Sequence, residues 1–91
     1  MKIKYIILFL LVLVGSASAV PAQSARQMLD SANQRYSEGR YGQAIDLYQR
    51  VLAKGKEAPG IYYNLGNAYY KSNQLAPAIL HYERARLRDP N

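Results

Sequence analysis

The residues that ordinarily carry chemistry are few in this chain, and they stand apart. There is no cysteine and a single histidine, His81. A zinc-type site needs about three or four nitrogen, sulfur or carboxylate ligands at short spacings. His81 offers no such set, so neither a metal nor a cofactor is expected. A nucleophile of the serine or cysteine type needs a base held beside it, and no such arrangement is present. Asp30, Glu38, Asp46, Glu57, Glu83 and Asp89 are dispersed, with none in a motif for acid–base work. The glycines are isolated, so no glycine-rich loop can cradle a phosphate. His81 follows an apolar run and precedes arginines, and it reads as a surface residue. These features argue against an enzyme and turn attention to binding.

The elements that would position binding residues begin after a leader. Lys2 and Lys4 precede an uninterrupted apolar run from Tyr5 to Val14, and Gly15-Ser16-Ala17-Ser18-Ala19 follows. Charge, a short apolar core and an Ala-x-Ala ending occur in the order of a secretory signal peptide. Residues 1–19 are therefore expected to direct export, with a periplasmic location, and residues 20–24 to form a short linker. The alternative is an uncleaved membrane anchor, but Ile3 to Val14 is short of the roughly 20 residues that span a bilayer. Loss of Lys2 and Lys4 lowers the formal charge from +6 to +4. Arg84, Arg86 and Arg88 are the one basic cluster. Their alternation fans them round a helix as a solvated face rather than a nucleic-acid stripe.

An internal repeat organises the rest. One constant shift carries Asn33 onto Asn67, Tyr36 onto Tyr70, Ala44 onto Ala78, Ile45 onto Ile79 and Tyr48 onto Tyr82. Each copy reads as two helices. The first is expected over 25–37, introduced by Ser24 and Gln27 at capping-box spacing and closed at Gly39, a residue suited to a left-handed turn. The second is expected over 41–54, with Ala44, Ile45, Tyr48, Val51 and Leu52 as its apolar stripe. The third is expected over 61–72. The fourth is expected over 75–88, with Leu75, Ile79, Tyr82 and Ala85 apolar and Pro77 in its first turn, where a missing N–H costs little. Small residues at Gly66 and Ala78 would let antiparallel helices approach closely. Tyrosines would then fill the flanking space, with each hydroxyl needing a partner.

Tyr62, Leu65, Gly66, Tyr69, Ala78, Tyr82, Ala85 and Pro90 resemble the eight signature positions of the tetratricopeptide repeat, in a unit covering 59–91. The unit at 25–58 is a degenerate copy. Ala32, Ala44 and Tyr48 agree with the pattern, whereas Met28, Ser31, Arg35 and Lys56 depart from it. The fold implied is all-α, with two antiparallel helix-turn-helix units and four helices. An export signal followed at once by such repeats is also similar to the exported repeat member of the Bacteroides aerotolerance (Bat) family.

The resemblance implies a scaffold that binds a protein or peptide in a concave groove lined by the first helix of each unit. By position, that groove would show Arg26, Leu29, Asn33 and Tyr36 from the first unit, and Tyr63, Asn64, Asn67, Tyr70 and Lys71 from the second. An amide can donate to and accept from a peptide backbone, and Arg26 and Lys71 can add charge-assisted bonds. The competing role for the asparagines is to tie helices together. Two units make a small core, and arrays of this kind ordinarily stack about three or more. Self-association, or a place within a longer array, is therefore the alternative function.

Overall fold

The computed structural model describes residues 23–89. The expected leader at 1–19 and Pro90 of the repeat signature lie outside the described residues. Four helices follow one another: α1 (Ala25–Ser37), α2 (Tyr41–Ala53), α3 (Pro59–Lys71) and α4 (Leu75–Arg88). Among the described residues there is no strand. Successive helices pack together, α1 on α2, α2 on α3 and α3 on α4. The all-α arrangement of helix-turn-helix repeats is thus the one formed.

Local chemistry sets the helix ends. The Ser24 hydroxyl accepts from the Gln27 N–H at 3.1 Å, and the Gln27 side-chain oxygen accepts from the Ser24 N–H at 3.0 Å. This reciprocal cap satisfies two donors that would otherwise be orphaned at the helix start. The turn that follows α1 passes through Gly39, where φ is +76°. The same turn recurs at the matching place in the second unit, with Asn73 at φ +61°. Asparagine is the side chain that best tolerates the left-handed region after glycine. The closing bonds repeat as well. The Arg40 N–H donates to the Arg35 carbonyl and the Gln74 N–H to the Tyr69 carbonyl, both at 2.9 Å. α3 begins at Pro59 rather than Ile61, because proline fits the first helical position, where its fixed φ suits the helix and no N–H is required.

The core lies between the units. Met28 and Ala32 of α1, Ala44, Tyr48 and Val51 of α2, and Ile61 and Leu65 of α3 form one buried cluster. Met28 takes the place that Tyr62 holds in the second unit, which is how the degenerate copy keeps a packed first helix. Gly66 marks the tightest approach. A Cβ built there would lie 2.5 Å from Cδ1 and 2.6 Å from Cε1 of Tyr82, so the Tyr82 ring occupies the space that a side chain at 66 would need.

Two expectations are corrected. α4 buries only part of the stripe expected of it, Ala85 and, in part, Tyr82. Its buried residues are Ala78, His81 and Ala85, while Leu75 and Ile79 are 60% and 55% exposed. Leu75 and Ile79 correspond in register to Tyr41 and Ile45, which are partly buried. His81 is not a surface residue, for it is only 3% exposed. Its ring stacks on Tyr69 at 5.3 Å between centroids and on Tyr62 at 6.1 Å. Helical phase places residue 81 on the side of α4 that meets α3, and the large flat rings of α3 accept an imidazole there. Burial, followed by the Arg84 charge, holds its pKa below the ordinary histidine value. The imidazole is therefore neutral in the fold, and its Nδ1 has no hydrogen-bond partner among the described residues.

Candidate partner-binding site

The three asparagines of the expected groove are drawn into one repeated hydrogen-bond device. In the first unit the Tyr48 hydroxyl donates to Asn33 Oδ1 at 2.5 Å, and Asn64 Nδ2 donates to the same hydroxyl at 3.0 Å. The bond from Asn64 fixes the polarity of the relay. The Tyr48 oxygen is an acceptor on one side and a donor on the other, so the Asn33 carbonyl must face it. In the second unit the Tyr82 hydroxyl donates to Asn67 Oδ1, again at 2.5 Å. Asn33 and Asn67 hold the same place in the two units. Each therefore braces the second helix of its own unit, and Asn64 ties one unit to the next. Burial raises the pKa of both hydroxyls, so both remain protonated donors.

Each brace spends one side of an amide. With their carbonyls committed to tyrosine, Asn33 and Asn67 each turn an N–H group outward. Asn33 is exposed and Asn67 partly buried, and neither amide N–H is bonded to another described residue. The aromatic residues around them differ. Tyr63 and Tyr70 of α3 are each 57% exposed. Tyr36 of α1 is partly buried and packs edge-on against Tyr41 at 5.8 Å. Arg26 and Lys71 are exposed and form no ion pair among the described residues. The structure thus brings Tyr63, Asn67 and Tyr70 onto one face of α3, with Lys71 at its end. Asn64 is a tie between units, with its side chain directed at Tyr48. The hydrogen-bonding capacity of Asn33 and Asn67 is half used by the fold.

Sequence reasoning missed a further cluster where α4 ends. The Arg88 guanidinium lies 4.2 Å from the centre of the Tyr62 ring and also reaches Glu57 at 3.3 Å. The Tyr62 hydroxyl donates to Glu57 at 2.8 Å. Those contacts, the tyrosine bond first and the Arg88 charge second, hold the Glu57 carboxyl below its usual pKa. The arginines of α4 are therefore not uniformly solvated, since Arg88 helps fix the loop between units. Arg86 pairs with Glu83 one turn back. Among the described residues no group of three or more histidine, cysteine or carboxylate side chains could hold a metal ion. No described helix is long and apolar enough to cross a membrane.

Two family profiles match this architecture. Residues 32–73 match one described as TPR repeat, and residues 59–91 match one described as tetratricopeptide repeat. Residues 32–91 are tetratricopeptide repeats. The relative Intraflagellar transport protein 70B of Rattus norvegicus is 44% identical over 46 residues. That match covers half of this chain but only 7% of the relative's own length, so it speaks to the repeats and not to the relative's whole activity. As in the family at large, tetratricopeptide units of this kind serve as protein–protein interaction scaffolds.

Proposed function

We propose that this chain is an exported scaffold that holds a protein or peptide partner against the face of α3 that carries Tyr63, Asn67 and Tyr70. The observation that carries the proposal is the pairing of two half-exposed tyrosines with an amide whose orientation the fold has already set. A rigid aromatic side chain provides contact area at small entropic cost. The Asn67 N–H group, aimed by its bond to Tyr82, offers a donor to a backbone carbonyl or a carboxylate. Lys71 at the end of this face, and Arg26 on α1, add positive charge, which favours acidic partners. Export, and a periplasmic site of action, rest on the charge, apolar run and Ala-x-Ala order of residues 1–19. Together with the repeats, that order supports kinship with the exported Bat-type repeat proteins.

Crosslinking in the envelope fraction tests the groove. The partner recovered with the wild-type chain is expected to fall at least fivefold with Tyr63→Ala/Tyr70→Ala, the order of effect of losing aromatic contacts at an interface. Asn33→Ala should cost stability rather than partner. Equal recovery with the tyrosine double variant would remove this face from the proposal. Export is read separately, as a mature mass beginning at Val20.

A further inference from the structure

His81 is the one histidine of the chain, and it fills the seam between α3 and α4. Tyr62 and Tyr69 stand two turns apart on α3, and the imidazole stacks on both rings. The groups around it make no place for a positive charge. Its Nδ1 has no hydrogen-bond partner among the described residues. On α4, the charge of Arg84 opposes a second positive charge on the ring. On α3, the Tyr62 hydroxyl is bonded to Glu57, and the Tyr62 ring already carries the Arg88 guanidinium. The Tyr69 hydroxyl accepts from Gln49 of α2 at 3.3 Å. Glu57, the carboxylate of this set, is paired with Arg88. The first unit has Met28, Arg35 and Leu47 at the places of Tyr62, Tyr69 and His81, and none of these three titrates near neutral pH.

We infer that the α3–α4 seam is an acid-sensitive latch, in which a proton taken up by His81 loosens α4 from α3 and frees the Asn67 amide from its fixed aim. An imidazolium carries a donor on both ring nitrogens. At Nδ1 that donor meets no acceptor, and a buried charge without a partner is costly. Water can solvate it only if residue 81 leaves the tyrosine rings. The face of α4 that must move also holds Ala78 and Ala85 and adjoins Tyr82. The Tyr82 ring sits against Gly66, and its hydroxyl donates to Asn67 Oδ1. Both contacts need the close approach of the two helices, so a displacement that wets His81 also breaks the bond that orients Asn67. Attraction of an imidazolium to the tyrosine faces is the opposing effect. Arg88 already occupies one of those rings, and Arg84 adds like charge. A histidine in the open state titrates near about 6.5. The latch therefore holds above that pH. Below it, the opening equilibrium shifts by up to about tenfold per pH unit, the limit for one proton. Release of a bound partner by acid follows, a consequence that rests on Asn67 being a donor in the proposed groove.

Because the chain has one histidine, NMR reads its titration without ambiguity. In the full chain the His81 ring signals are expected to titrate with a midpoint below about 6.5. A midpoint at or above that value would overturn the latch, because the tyrosine rings would then be stabilising the imidazolium. Hydrogen exchange, corrected for the intrinsic effect of pH on the exchange rate, reads the opening. Protection of the α4 amides should fall by about three- to tenfold per pH unit just below pH 6.5, while α1 and α2 keep theirs. The Asn67 side-chain amide signals should shift with the same midpoint as His81. His81→Phe keeps a stacking ring without a proton site, and it should abolish both the loss of α4 protection and the Asn67 shift. The same loss in His81→Phe, a loss spread evenly over the four helices, or Asn67 signals that ignore pH would each overturn the inference. Should His81→Phe fail to fold, the wild-type titration and exchange decide the matter by themselves. No partner is present in these measurements, so their failure is distinct from failure of the groove, which the tyrosine double variant tests.

Discussion

Units one and two of this protein share a hydrogen bond almost atom for atom, and they differ in what lies over it. In both, a tyrosine of the second helix donates to an asparagine of the first, at the same distance and at the same place in the repeat. Tyr48 is sealed under α3, while Tyr82 is partly open. The exposed apolar residues of the second unit follow the same rule. Tyr63, Tyr70, Leu75 and Ile79 are all more than half exposed, whereas Leu29, Tyr36, Tyr41 and Ile45 in register are partly buried and, Tyr41 apart, packed on the core. A repeat unit therefore specifies its own fold and internal bracing, and its neighbour decides whether that bracing is dry. The outer faces differ in the opposite sense. α1 closes its end with Gln27, Ser31 and Gln34, positions that carry Ile61, Leu65 and Ala68 in α3.

The comparison is broken most directly by truncating the two tyrosines. Tyr48→Ala should cost about 3–5 kcal/mol of unfolding free energy, the range for removing a buried aromatic, and it also strands the amides of Asn33 and Asn64. Tyr82→Ala should cost about half as much. Urea unfolding measures both, and equal losses would show that the α3 cover adds nothing.

A smaller effect is expected at the site of closest approach. Gly66→Ala pushes a methyl group into the Tyr82 ring. Displacing the ring should cost about 1–3 kcal/mol, offset by up to about 1 kcal/mol of helix propensity. Ala32 holds the matching place in the first unit and is fully buried. Ala32→Gly should therefore destabilise by about 1 kcal/mol through propensity, with the loss of a buried methyl group adding to it. A more stable Gly66→Ala chain would mean that the second unit does not need its glycine for packing.

The smallest effect concerns pH and separates the units at one register position, Leu47 in the first and His81 in the second. His81 is held neutral, its folded pKa lying below the unfolded value of about 6.5. As the pH falls through that value, the unfolded chain takes up a proton that the folded chain resists. The stability present above this window is therefore lost as the pH drops toward the lowered folded pKa, and no more is lost beneath it. His81→Leu should flatten the thermal midpoint between pH 7 and pH 5 relative to wild type. An unchanged pH slope would place the imidazole in solvent after all.

Much of the fold is legible in the sequence because its signals are local. The capping pair Ser24 and Gln27, the left-handed turn at Gly39 and the constant register between units each depend on residues near one another in the chain or on a simple period. The start of α3 is the exception, since an Ala-Pro-Gly run resembles a loop until Pro59 is seen at the first helical position. The candidate site is only partly legible. Asparagines at 33, 64 and 67 can equally hold a ligand or a neighbour, and spacing alone does not say which way an amide turns. The burial of His81 is not legible, because flanking arginines describe its chain neighbours and not the rings of Tyr62 and Tyr69 that stack on it.

By itself the sequence determined the helical repeat, its period, its turns and the close approach at Gly66, because periodicity and residue size act along one chain. Only the tertiary structure decided that Asn64 joins the units, that Arg88 lies on Tyr62, that His81 is buried, and that Tyr48 is sealed while Tyr82 is only partly buried. Those outcomes depend on which surfaces meet across helices, and burial is a property of the pair of surfaces rather than of either sequence segment.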